Sequence, residues 1–82
     1  MKEQEIYNKI DLLEEAQLKL KQRIEEIKAT GAVKIEAFHE DEEWNRLVDE
    51  RDALRQEIMN MIPEDCNELW EYFYKADRII FE

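Results

Sequence analysis

Residues 6–27 read IYNKIDLLEEAQLKLKQRIEEI, and the spacing of the aliphatic side chains in this stretch decides the fold class. Ile6, Ile10, Leu13, Leu20, Ile24 and Ile27 follow one another at intervals of 4, 3, 7, 4 and 3, with Gln17 at the position the long interval skips. That is a heptad seam, with Ile10, Gln17 and Ile24 at a and Ile6, Leu13, Leu20 and Ile27 at d. Lys and Glu fill most outer positions. The spacing predicts one amphipathic helix over about residues 2–29, roughly 40 Å long at 1.5 Å per residue. Thr30 and Gly31 should end it, because glycine adopts the left-handed conformation past a helix C-terminus without a Cβ clash, and Lys28 suits the negative end of the dipole.

Downstream, Val33, Ile35 and Ala37 alternate with Lys34 and Glu36. Period two suggests an extended piece, but a lone strand leaves its backbone unsatisfied. We read residues 30–40 as an ordered connector, the alternatives being a strand paired with another copy or an extra turn or two of helix. The acidic run Glu40, Asp41, Glu42, Glu43 then marks a second helix start, where carboxylates meet exposed amides and the positive dipole end. This helix, about residues 41–62, carries the stripe Trp44, Leu47, Val48, Leu54, Ile58, Met61 and Ile62, with Arg51 in an a position. Pro63 closes it, since proline disfavours helical backbone in the residue before it. Pro63 also suits the first turn of a third helix over about residues 63–81, supported by Glu64 and Asp65. The last segment holds Trp70, Tyr72, Phe73, Tyr74 and Phe81, five of the eight aromatic residues in the chain.

The expectation is an all-α single domain spanning residues 1–82: a long antiparallel hairpin with coiled-coil-like packing plus a C-terminal aromatic-rich helix, three helices in all. With one Gly, one Pro and 41% charged residues, the composition is that of long helices and leaves too few turn residues for a sheet. A chain of 82 residues supports only one core, or half of a shared one. Cys66 is the sole cysteine, so no intramolecular disulfide forms, and His39 is the sole histidine. A reducing cytoplasm is the expected location. Residues 1–8 are charged, and no run of about 18 apolar residues occurs, which argues against secretion and membrane association.

The formal charge of −10 is uneven. Residues 1–39 carry 7 basic and 8 acidic side chains, and residues 40–82 carry 5 and 14. Such a field repels phosphate backbones, so direct nucleic-acid binding is not expected, while basic protein surfaces are attracted. Glu40, Asp41, Glu42, Glu43, Asp49 and Glu50 form the candidate acidic face. Trp70, Phe73, Tyr74 and Phe81 form the candidate aromatic interface, with homodimerisation through it the default expectation. Gln17 and Arg51 are candidate register residues: in an antiparallel hairpin with Ile27 near Trp44 and Leu13 near Ile58 they fall in adjoining layers, close enough to share a hydrogen bond.

Catalytic parts are scarce. The chain has no Ser, no Gly-rich phosphate loop and no Cys/His pair at a recognisable spacing. Glu36-x-x-His39 has the spacing of a di-iron bundle ligand pair, but that chemistry needs two such pairs plus further carboxylates, so a hydrated or capping pair is the expectation. Residues 40–43 lack the spaced oxygens and central Gly of a calcium loop, and the Glu-Glu-x-x-Glu pattern of magnesium-dependent pyrophosphohydrolases is absent. We therefore expect no catalytic residues, no metal and no cofactor.

From Glu43-Trp44-Asn45-Arg46-Leu47 through Leu54-Arg55-Gln56-Glu57-Ile58 to Ile62-Pro63-Glu64 and Trp70-Glu71-Tyr72-Phe73, about half the chain resembles short acidic helical proteins of bacteria and their phages or mobile elements. They carry no established activity. The resemblance implies an accessory protein that binds a host or partner protein. A sharper expectation is an inhibitor whose carboxylates imitate spaced phosphates and occupy a basic nucleic-acid channel. Its rival is a structural or assembly protein that oligomerises through the third helix.

Overall fold

The computed structural model describes residues 2–31 and 35–81. Among them stand four α-helices and one 3-10 turn, and no strand: α1 Lys2–Ala29, α2 Ile35–His39, α3 Glu42–Met61, α4 Asn67–Asp77 and the turn Ile79–Phe81. The all-α expectation holds, with one short helix more than the sequence suggested.

Nothing within α1 interrupts a helix, and its end is the one the sequence signals. The Thr30 N–H donates to the Ile27 carbonyl at 3.2 Å, the Gly31 N–H to the Lys28 carbonyl at 3.0 Å, and Gly31 takes a φ of +85°. Ile6, Ile10, Leu13, Gln17, Leu20 and Ile27 are buried along one stripe, as the heptad seam predicts.

The preferred reading of the connector is corrected where it is described. Ala32, Val33 and Lys34 lie outside the described residues, but Ile35–His39 is helical, not extended. With no strand to pair with, a short helix satisfies its backbone internally: the Glu40 N–H donates to the Glu36 carbonyl at 3.0 Å. It also lets Phe38 meet Trp44 edge-on, ring centroids 5.2 Å apart.

Asp41 begins α3 as its N-cap, accepting the Trp44 N–H at 2.6 Å. The helix ends at Met61, where Ile62 turns extended ahead of Pro63. The aromatic helix starts at Asn67, not at Pro63. Residues 63–66 instead form a turn in which the Cys66 N–H donates to the Pro63 carbonyl at 3.1 Å, reversing the chain so that α4 returns along α3. It stops at Asp77, and Ile79–Phe81 continues as a tighter 3-10 turn.

Two ion pairs between distant segments of the chain show the direction of the hairpin. Lys9 Nζ meets Glu57 at 2.7 Å, and Arg23 grips Asp41 through two guanidinium nitrogens, so α1 and α3 run antiparallel. α4 lies parallel to α1: Tyr72 reaches Tyr7 and Asp11, and Asp77 lies beside Gln17. The three form an up-down-up bundle inside an elongated body of 45 × 21 × 17 Å. Its main core is gathered at one end, where Ile6, Ile10 and Leu13 of α1, Ile58 and Ile62 around the end of α3, and Leu69, Phe73 and Ala76 of α4 pack as one cluster. Leu20, Ile27 and Leu47 are buried outside that cluster, in the half of the hairpin that α4 does not reach.

Candidate interaction surface

α4 must bury one stripe to close the core, and its sequence supplies more than one. Leu69, Phe73 and Ala76, at i, i+4 and i+7, fill the inner face. Phe73 is therefore a core residue, not a free contact. Trp70 on the adjacent stripe is half-buried: its indole N–H donates to the Pro63 carbonyl at 3.0 Å, and its ring stacks on Tyr74 at 5.9 Å. Tyr74 remains 48% exposed and Phe81 86% exposed. Of the four aromatic residues singled out from the sequence, these last two are the exposed ones, and Phe81 by far the more so.

A tyrosine outside the predicted set braces the same helix. The Tyr72 hydroxyl donates to Asp11 Oδ1 at 2.7 Å, and its ring meets Tyr7 edge-on at 4.9 Å. The Asp11 carboxylate, which favours keeping the hydroxyl proton, and partial desolvation hold the Tyr72 phenol above its ordinary range. No signal in a single sequence links positions 11 and 72.

The acidic face is divided in the fold. Asp41 is occupied twice, as the α3 cap and as the partner of Arg23, and that guanidinium, followed by the Trp44 N–H, holds its carboxyl below the ordinary carboxylate range. Glu43 and Glu50 flank Arg46 and pair with it, which lowers the Glu43 carboxyl as well. Glu40, Glu42 and Asp49 are exposed and enter no ion pair among the described residues. Half of the predicted acidic face is thus engaged within the chain.

Gln17 and Arg51 line one cavity, but the hydrogen bond between them is not made. The Gln17 amide donates to the Asp77 carbonyl at 2.8 Å, so it ties α1 to the end of α4, while Arg51 pairs with its neighbour Asp52 at 2.9 Å. The a-position pattern could reveal that Gln17 is inward-facing. It could not reveal a backbone partner 60 residues away.

That cavity, of about 180 Å³, lies between Gln17, Arg51, Arg55 and Asp77 and is walled by Ile80 and Phe81. A second, of about 260 Å³, opens on the other side of the same two residues, against Lys21, Ile24 and Lys28. The 3-10 turn is thus a hook with a hollow on each side. Glu36 and His39 lie exposed on α2, and no group of three or more His, Cys, Asp or Glu side chains placed to hold a metal occurs among the described residues. No described helix is long and apolar enough to cross a membrane. In comparison with known proteins, no family model, no curated protein and no solved structure matches this chain.

Proposed function

We propose that the chain is a non-enzymatic protein-interaction module that engages its partner through the exposed aromatic side of its C-terminal segment. The observation that carries this is the position of Phe81. It is 86% exposed at the end of the 3-10 hook, downstream of the 48% exposed Tyr74, although Leu69, Phe73 and Ala76 already fill the inner face of α4 without it. Hydration of a phenylalanine ring is unfavourable, and binding recovers that cost. Aromatic rings with little side-chain entropy to lose are the usual anchors of protein interfaces.

Light scattering on wild type and Phe81→Ala at low and high salt tests the proposal. A wild-type dimer that becomes monomeric in the variant, with unchanged melting, assigns the surface to self-association. A wild-type monomer directs it to a foreign partner, which Phe81→Ala then fails to hold. A dimer or complex indifferent to both Phe81→Ala and Tyr74→Ala overturns it.

A second reading, the phosphate-mimicking inhibitor, draws on Glu40, Glu42 and Asp49, the carboxylates of the acidic face that enter no ion pair among the described residues. It predicts binding to a basic nucleic-acid channel that weakens steeply with salt and with Glu42→Gln plus Asp49→Asn. Salt-independent binding sinks it.

A further inference from the structure

We propose that the half of the hairpin left uncovered by α4 is a docking groove for an acidic amphipathic helix of a partner protein. This rests on the interaction reading above and specifies the partner's chemistry, which is opposite to what the net charge of the chain suggests.

α4 ends at Asp77, beside Gln17, so the third position of the bundle is filled only along the first part of α1. Beyond Gln17 that position holds the hook alone, flanked by the two hollows. Ile24, Ile80 and Phe81 give an apolar floor of the kind an amphipathic helix seeks. The rims carry Lys21 and Lys28 on α1 and Arg51 and Arg55 on α3, against Glu25, Asp52 and Asp77. Among the described residues that line it, four cations stand against three anions, a balance opposite in sign to the formal charge of −10 of the chain. Asp52 and Asp77 already engage Arg51 and Arg55. Lys21 and Lys28 form no ion pair or side-chain hydrogen bond among the described residues, so they are free to meet carboxylates.

An independent observation points the same way. Gln17 is 1% exposed and lines the first hollow, and its Oε1 has no hydrogen-bond partner. A buried carbonyl without a donor is unfavourable, and an O–H or N–H on an incoming side chain relieves it. The occupant that answers all three features has an apolar stripe over the hook, carboxylates toward Lys21 and Lys28, and an anchor with a donor group, such as tyrosine. A second copy of the chain answers them less well, since antiparallel pairing of two α1 helices about Ile24 sets Lys21 near Lys28 of the other copy.

The test uses the full chain, isotope-labelled, and two synthetic helical peptides of about four turns. Both carry the same Leu stripe and one Tyr, with the flanking positions all Glu in one and all Lys in the other. At low salt the Glu peptide is expected to bind about tenfold or more tightly than the Lys peptide. It should shift the amides of Lys21, Ile24, Lys28 and Phe81 and the side-chain amide of Gln17. Lys21→Glu with Lys28→Glu should reverse the order of the two peptides while the melting curve stays in place. Equal or tighter binding of the Lys peptide overturns the proposal, as do shifts confined to residues 40–50 and failure of either peptide to bind. Shifts of the groove that grow with protein concentration and no peptide overturn it in favour of a second copy.

The two levels of the proposal fail separately. If Phe81→Ala abolishes association but neither peptide is preferred, the aromatic contact stands and the acidic helix falls. If the Glu peptide binds Phe81→Ala as it binds wild type, the aromatic anchor falls.

Discussion

At one end of the molecule three helices share a core, and at the other the two hairpin helices are backed by the 3-10 hook and the short α2 in place of α4. Around Ile10, Leu13, Ile58 and Phe73, each apolar side chain meets neighbours from three directions. Leu20, Ile27 and Leu47 are buried outside that core cluster, at the end that carries the Asp41 cap, the Arg23–Asp41 pair and the Gly31 turn. The contrast shows how a small chain divides stability from interaction. The closed end holds the main core, while the open end keeps the Phe81 ring, and two lysines with no ion pair among the described residues, in reach of solvent.

The sharpest way to break this comparison is to empty each end in turn. Phe73→Ala removes a ring that is almost fully buried, and should cost about 3–5 kcal/mol, enough to unfold much of a chain this small in a chemical-denaturation experiment. Leu47→Ala at the open end should cost less, about 2 kcal/mol, because the site borders solvent and can relax. Equal losses at the two positions would mean that the ends are one cooperative unit. Native-state hydrogen exchange refines the same point, with the amides of residues 21–28 expected to open at lower free energy than those of residues 6–17.

Smaller still is Gly31→Ala. A Cβ at this position meets nothing within 4 Å, yet φ of +85° strains any residue with a side chain. A loss of about 1 kcal/mol in thermal or urea unfolding is expected, confined to the open end. An unchanged midpoint would mean that the turn at Gly31 does not set the geometry of the hairpin.

The smallest effect is the pH dependence of the clamp. The Arg23 guanidinium and then the Trp44 N–H hold the Asp41 carboxyl below its ordinary range. A carboxyl depressed in the folded state contributes stability that is full above its unfolded pKa and disappears as pH falls through its folded value. The open end should therefore loosen in acid, below about pH 4, ahead of the closed end. Asp41→Asn should lower stability at neutral pH and flatten that acid limb, followed by the fluorescence of Trp44 with Trp70 replaced by Phe. An acid limb as steep in the variant as in wild type would assign the loss to other carboxylates.

Much of this protein is written locally in its chain. The heptad intervals from Ile6 to Ile27, the glycine at position 31, the acidic run before Trp44 and the proline after Ile62 determined an all-α hairpin with its main reversals, because each acts within a turn or two of helix. The alternation at residues 33–37 misled, because a period read over so few positions does not outweigh the need of Ile35–His39 to satisfy its own backbone. Which residues are free to act was decided only in three dimensions. Phe73 and Phe81 are both aromatic residues of the same terminal segment, yet one is core and the other exposed, because α4 can lay only one stripe against α1 and α3 before it ends. Asp41 and Glu42 are neighbours in one acidic run, yet only Asp41 meets Arg23, 18 positions away. Helical periodicity decides which side chains share a face; the packing of distant segments decides which of those faces remains open.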